Sequence, residues 1–167
     1  MFIGGEIVMP SNTTALMIAK YFIWKANKEG VKLTNKKLQK LIYYAQAWNM
    51  VFKNKPLFDD KIEAWIHGPA VFSIYQEYKK YGFSTINEKV EDIEVVDIPS
   101  KDVLDKVWNT YKGYDAKYLE ILTHSETPWQ KARAHLDVNE SSKAIISLED
   151  MKKYYSALLE DQKGKDK

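Results

Sequence analysis

The segment from residue 34 to residue 52 constrains the fold of this chain more than any other. Thr34 is a typical helix N-cap residue, and apolar residues follow it at the three- and four-residue spacing of one helical face. That face consists of Leu38, Leu41, Ile42, Ala45, Trp48 and Phe52. The pattern predicts a helix that opens at Thr34 and contributes one apolar stripe to the core.

Six further helices are predicted from apolar spacing and from cap residues. The first is closed by Gly30, because glycine readily adopts the backbone conformation that ends a helix. Another is expected to start with Thr127 as its cap and Pro128 at its first helical position. The six predicted helices begin at residue 13 or 14, 70, 100, 115, 127 and 147.

The middle of the chain is predicted to hold little β structure. Pro56, Gly68 and Pro69 interrupt it, and a short extended piece is expected around residues 62–66. The segment INEKVEDIEVVDIP, residues 86–99, is compatible with a strand, a short helix or a loop. The sequence therefore predicts at most a short β element around residues 60–98.

Length and composition favour a mainly α, single compact multi-helix domain. The chain has 167 residues, of which 45% are hydrophobic and 29% charged, which suits one core rather than two. We expect this domain to span residues 13–160. Residues 1–12 are predicted to be disordered or loosely packed, and residues 161–167 to form a frayed basic tail.

Several classes of site lack their residues in this sequence. There is no cysteine, so thiolate metal sites and cysteine nucleophiles are excluded. The three histidines are far apart and form no HExxH pair, and neither a G-x-S-x-G elbow nor a phosphate-binding P-loop occurs. We therefore expect no metal, no cofactor and no enzymatic activity.

The sequence also lacks the features of a secreted or membrane protein. The amino-terminal residues MFIGGEIVMP carry no basic n-region, and no apolar run approaches the length that spans a bilayer. We expect a cytoplasmic protein without membrane contact.

Charge is distributed unevenly along the chain. Residues 20–40 contain seven lysines, whereas residues 88–105 contain seven acidic residues. This asymmetry is compatible with neutralisation inside the protein, and equally with a surface that attracts an acidic partner.

The second predicted helix begins with three lysines followed by two tyrosines. Lys36, Lys37 and Lys40 with Tyr43 and Tyr44 could contact nucleic acid, although a solvated helix face has the same composition. Because cations are unfavourable at a helix N-terminus, helix stability does not explain these lysines, which leaves room for a partner. Lys37 and Lys40 are expected to be exposed. At least one of the two tyrosines is expected near the surface, because adjacent helical residues point about 100° apart.

Three blocks of sequence resemble the Panacea antitoxin domain, the SocA/GepA-like family of bacterial and phage genomes. The blocks are LTNKKLQKLIYYAQAW at 33–48, PLFDDKIEAWIHGPAVFSIYQEYKKYG at 56–82 and LTHSETPWQKAR at 122–133. Their order adds specificity that no single block has. The residues that carry the family motif are Leu38, Trp48, Trp65, Gly68, Pro69, His124, Pro128 and Trp129.

This resemblance implies a mostly helical antitoxin that neutralises a separately encoded protein toxin by direct binding. Some relatives look like adaptors that deliver the toxin to a host protease. The alternative function is a nucleic-acid-binding regulatory protein of a mobile element, which the moderate basicity makes the weaker choice.

The Gly68-Pro69 corner is expected to arrange a partner-binding surface. His67 is interpreted as a hydrogen-bonding corner residue rather than a catalyst, and Trp65 as an anchor of the corner in the core, together with Trp48 and Trp129 elsewhere. The residues hypothesised to bind the partner are Lys36, Lys37, Lys40, Tyr44, His67, Tyr75 and Tyr78.

Overall fold

The computed structural model of the protein describes residues 2–3, 6–7 and 12–165. These residues form seven α-helices and two short antiparallel strand pairs. The helices are α1 (Ala15–Glu29), α2 (Asn35–Lys53), α3 (Phe72–Tyr78), α4 (Lys101–Tyr111), α5 (Ala116–His124), α6 (Thr127–Ala132) and α7 (Leu148–Lys165). The strands are β1 (Phe2–Ile3) with β2 (Glu6–Ile7), and β3 (Glu63–Trp65) with β4 (Gly68–Ala70). The predicted mainly α fold with a short β element is confirmed.

Predicted cap residues bound the first two helices. The Thr14 hydroxyl accepts a hydrogen bond from the Met17 amide at 3.3 Å, and Gly30 ends α1 with a φ of 68°. The Thr34 hydroxyl likewise accepts from the Lys37 amide at 3.2 Å. Short-range sequence signals therefore fix where both helices begin.

Helix α2 lies at the centre of the fold. It packs against α1, α3, α4, α5, α7 and β4, and 14 of its 19 residues are buried. A surface helix buries one stripe, whereas a helix enclosed by neighbours buries most of its circumference. The predicted stripe is thus only part of the buried surface of α2, and its last member, Phe52, is exposed at the end of the helix.

Two predicted helix starts are shifted by the structure. Helix α3 begins at Phe72 rather than at residue 70, because Gly68–Ala70 pairs with β3 instead. A 3₁₀ helix at Lys79–Tyr81 follows α3 directly. Glu126, not Thr127, occupies the N-cap position of α6, and Pro128 is therefore the second helical residue.

The segment left open between residues 86 and 99 is a loop with one 3₁₀ turn at Asp92–Glu94. Four ion pairs join lysines of α1 and α2 to this loop and to α4: Lys20–Glu88, Lys25–Asp105, Lys28–Asp92 and Lys53–Asp102. The uneven charge along the sequence is therefore partly neutralised within the protein.

The predicted domain limits are tested little by the structure. The segment 1–12 falls mostly outside the described residues. Helix α7 extends to Lys165 with exposed side chains from Glu160 onward, and residues 166–167 also lie outside. Fraying of the tail stays a prediction.

Candidate partner-binding groove

A cavity of about 710 Å³ opens between the start of α2, the β3–β4 turn and the start of α3. One wall carries the aromatic side chains Trp65, Phe72, Tyr75 and Phe83, and the floor carries the polar side chains Asn35, Lys36, Gln39 and Lys40. We call this cavity the corner groove. Its volume is in the range of sites that hold a small ligand or a short peptide segment.

The aromatic wall is open to solvent. The Trp65 ring lies 5.2 Å from the Tyr75 ring and 6.5 Å from the Phe72 ring, centroid to centroid. Phe72 is 48% exposed and Phe83 is 98% exposed. Large apolar side chains grouped at the rim of a cavity are typical of interaction surfaces.

Hydrogen bonds fix the floor of the corner groove. The Gln39 side-chain oxygen accepts from the Val71 backbone amide at 2.8 Å, and the Gln39 Nε2 donates to the Asn35 side-chain Oδ1 at 3.1 Å. Asn35 donates in turn to the backbone carbonyl of Tyr75 at 3.3 Å. These bonds tie α2 to the chain after β4 and to α3, so the groove is formed before any partner arrives.

Lys40 lies under the β3–β4 turn and is only 2% exposed. Its Nζ donates to the Pro69 carbonyl at 3.2 Å. Gly68 has a φ of 109°, and a Cβ there would stand 2.5 Å from the Lys40 Cε. Burial, aided by the charge of Lys36 and opposed by that of Glu120, lowers the pKa of Lys40 to about 7.

Glu120 of α5 carries the charge that balances this end of α2. Its carboxylate contacts the Nζ of Lys36 at 2.5 Å and that of Lys117 at 2.9 Å, and the Nδ1 of His67 at 3.1 Å. Burial by itself would raise the pKa of Glu120, but hydrogen bonds and charges from the two lysines outweigh it and lower the pKa to about 2. Glu120 is therefore ionised and links α5 to the turn.

Glu126 forms a second polar cluster, one helical turn beyond the groove along α2, because Tyr44 follows Lys40 by four residues. Its carboxylate accepts hydrogen bonds from the hydroxyls of Tyr44 at 2.7 Å and Tyr155 at 2.9 Å. The Tyr155 hydroxyl also lies 3.0 Å from that of Tyr43. Burial raises the pKa of Glu126 despite these bonds. This cluster joins α2, the start of α6 and α7 inside the core.

Residues of the third sequence block, 122–133, contact the β3–β4 hairpin on the side away from the groove opening. The Trp129 indole donates to the Trp65 carbonyl at 2.8 Å, and the His124 ring stacks on Trp129 with centroids 3.9 Å apart. Burial lowers the pKa of His124. His124 and Trp129 therefore position β3, which carries the aromatic wall.

The predicted exposure of two lysines is wrong. Lys37 and Lys40 are buried, because neighbours surround α2 and the Lys37 Nζ reaches the Lys112 carbonyl. The expectation that Tyr43 or Tyr44 lies near the surface is wrong for the same reason: both rings are buried among α4 and α7 residues such as Tyr155.

The other hypothesised partner residues divide into two groups. Lys36, His67 and Tyr75 line the corner groove together with buried Lys40. Tyr78 is buried, with its hydroxyl donating to Glu88 at 3.2 Å. A surface role in partner binding thus fits three of the seven residues directly.

Two of the three tryptophans predicted as core anchors contact the core, and Trp65 does not. Trp48 and Trp129 are partly buried and pack against the core. Trp65 is half-buried in the groove wall rather than in the core, since its indole donates to Glu63 at 3.0 Å beside solvent. The tryptophan with no exposed surface is Trp108 of α4.

Sequence reasoning missed Glu120, Glu126 and Phe83. Each carboxylate meets α2 residues more than eighty positions away, so no local spacing marks it. Phe83 follows Gly82, and its exposure has no signal in the pattern of its neighbours.

The described part of the chain gives no metal site and no membrane span. No group of three or more His, Cys, Asp or Glu side chains there could hold a metal ion. None of the described helices is both long and apolar enough to cross a bilayer.

Comparison with known proteins identifies the class. Residues 38–130 match the family model Antitoxin SocA-like, Panacea domain, and the chain belongs to this family. The chain is also similar to Antitoxin SocA of Caulobacter vibrioides (strain NA1000 / CB15N), with 26% identity over 132 residues, covering 72% of this chain and 70% of the relative. No solved structure matches. Family membership supports an antitoxin role.

Proposed function

We propose that this protein neutralises a separately encoded protein toxin by binding it directly, with the corner groove as the contact surface. The observation that carries the proposal is the exposed aromatic rim over a hydrogen-bonded floor, inside a chain of an antitoxin family. Aromatic side chains with few free charges are characteristic of the centre of protein interfaces.

The geometry favours the groove over the basic face of α2. Lys37 and Lys40 are buried and cannot form a charged outer surface. Phe72, Tyr75 and Phe83 stand at the rim, where a partner would remove them from water. Burial of such apolar area is the main source of affinity in most protein associations.

Two finer possibilities stay predictions. Delivery of the toxin to a host protease would begin with the same binding step, so the proposal is compatible with it. The nucleic-acid alternative is disfavoured, because ion pairs with residues 88–105 already neutralise Lys20, Lys25 and Lys28.

The test begins with the product of the neighbouring gene. We expect its expression alone to stop growth and co-expression of this protein to restore it. Replacing Phe72 and Phe83 together by Ser should weaken toxin affinity at least about tenfold without lowering the melting temperature, because both side chains are already exposed.

The matched control replaces Ile93 and Val138 by Ser. Both are exposed apolar residues outside the corner groove, and their loss should leave toxin affinity unchanged. A harmless neighbour, or one that this protein cannot neutralise, would end the antitoxin proposal. Equal loss of affinity in both double variants would remove the groove from it.

A further inference from the structure

The charges that line the corner groove are unbalanced. Besides His67, the groove is lined by three lysines and one glutamate: Lys36, Lys40, Lys143 and Glu63. The Glu63 carboxylate already accepts the Trp65 indole N–H. Lys36 forms an ion pair with Glu120. Lys40 and Lys143 have no comparable ion pair with a residue of the groove lining.

Lys40 also has donor capacity to spare. An ammonium group carries three N–H donors, and in the described residues the Lys40 Nζ makes one hydrogen bond, to the Pro69 carbonyl. The positive end of the α2 dipole lies at the same place, because the helix begins at Asn35. Both features favour an anionic acceptor at the floor of the groove.

The wall above this floor is aromatic. Trp65, Phe72 and Phe83 present ring surface to the cavity, and its volume of about 710 Å³ exceeds that of one side chain. An occupant that satisfies both surfaces has an apolar group for the wall and a carboxylate for the floor.

We propose that the corner groove receives a segment of the toxin that carries a carboxylate beside a large apolar side chain, with the carboxylate placed against Lys36 and Lys40. The carboxylate is an Asp, a Glu or the carboxyl terminus of the toxin. This inference rests on the proposed function and adds the chemistry of the segment that is recognised.

Proton linkage gives the proposal a specific signature. The titratable groups that interact with Lys40 or line the groove with it are Lys36, Glu63, His67, Glu120, His124 and Lys143. A bound carboxylate raises the pKa of Lys40, because an opposite charge favours the protonated amine. Since the free protein holds this pKa at about 7, binding takes up a proton at higher pH and weakens as the pH rises.

The experiment uses the full chain and two small probes observed by fluorine NMR. One probe is N-acetyl-para-fluorophenylalanine, which has a ring and a carboxylate, and the other is its neutral carboxamide. For a ligand of this size we expect a Kd on the order of 1 mM for the acid. The amide should bind about tenfold more weakly, because it loses the charged contact.

The pH dependence assigns the contact to Lys40. The Kd of the acid should rise several-fold between about pH 7 and about pH 9, and most of this window lies above the range in which ordinary histidines titrate. In Lys40→Met this rise should vanish, whereas Lys55→Met, an exposed lysine outside the groove, should behave like the wild type. Phe83→Ser should weaken both probes alike.

Equal affinity of the acid and the amide for the wild type would overturn the proposal, as would a pH-independent Kd or no binding of either probe. These results do not depend on Lys40→Met folding correctly. They are also separate from the proposed function: loss of toxin neutralisation by the wild type refutes that function, whereas intact neutralisation without an advantage for the acid refutes only this inference.

Discussion

Glu120 and Glu126 are two buried carboxylates beside the same helix, yet their surroundings shift their pKa values in opposite directions. Glu120 contacts two lysines and a histidine at the edge of the corner groove, and its pKa falls to about 2. Glu126 contacts tyrosine hydroxyls inside the core, and its pKa rises. Both lose solvation on folding, so the partners decide the outcome.

The two clusters differ in whether an incoming molecule can reach them. The Glu120 cluster lies partly at the surface, and the Glu126 cluster is enclosed in the core. Around Glu120 the side chains of His67 and Lys117 are largely exposed, and an incoming charge could compete for them. Around Glu126 every hydroxyl partner is buried. We therefore expect substitutions near Glu126 to act on stability and those near Glu120 to act on binding as well.

The largest effect is expected for Tyr44→Ala. Tyr44 has 0% exposure, stacks on Tyr111 with centroids 4.1 Å apart and donates to Glu126. Its removal leaves a cavity and a buried carboxylate with Tyr155 as its remaining hydroxyl donor, which should cost about 3–5 kcal/mol of unfolding free energy. Urea denaturation measures this, and Phe83→Ala, at an exposed aromatic of the groove, should change stability by less than about 0.5 kcal/mol. A similar loss of unfolding free energy in Tyr44→Ala and Phe83→Ala would contradict the distinction between the buried cluster and the exposed groove.

An intermediate effect is expected for Glu120→Gln. The folded-state pKa of Glu120 lies below its unfolded value, so its stabilising contribution is present above about pH 4.5 and is lost as the pH falls towards about 2. The variant should lose about 1–3 kcal/mol at neutral pH and show a smaller further loss across that acid window. Urea titrations at a series of pH values measure both, and an unchanged acid slope would show that Glu120 is not the titrating group.

The smallest effect, with the opposite pH dependence, is expected for Glu126→Gln. The folded-state pKa of Glu126 is raised, so the folded protein keeps a proton that the unfolded chain releases, and stability falls as the pH rises through that interval. The Gln side chain is neutral, and its amide oxygen can still accept a hydrogen bond from a tyrosine hydroxyl. The free energy of unfolding at neutral pH should therefore change by no more than about 1 kcal/mol. The same titrations should show a weaker decline just above about pH 4.5. If the stability of the variant declined more steeply with pH than that of the wild type, the folded-state pKa of Glu126 would not be raised.

The helices and their limits were largely predictable because their signals are local. Thr14, Gly30 and Thr34 act on bonds within a few residues of themselves, and such contacts form wherever the segment goes. The shifted starts of α3 and α6 show the limit of these signals. At α3 the preceding strand β3 pairs with Gly68–Ala70, and at α6 distant tyrosines of α2 and α7 bind the Glu126 side chain.

The candidate site was predictable only in part. The Gly68-Pro69 corner, Lys36 and Tyr75 could be singled out because they belong to blocks with a family resemblance. Burial of Lys37 and Lys40 could not, because a lysine can lay its alkyl stem along apolar surface and place its amine at a distant carbonyl. Helical periodicity describes one buried face, and α2 is enclosed on nearly all sides.

The contact between Gly68 and Lys40 restricts which substitutions the chain can accumulate. Any side chain at position 68 meets the Lys40 stem, and it also has to adopt a φ of 109° that L-residues disfavour. Shortening residue 40 relieves the collision but leaves the backbone strain. A single substitution at position 68 therefore causes both a steric clash and backbone strain. A paired substitution at positions 40 and 68 relieves only the clash. Variation that alters partner choice is for this reason easier to obtain at the exposed rim, where Phe72 and Phe83 can change without a compensating partner.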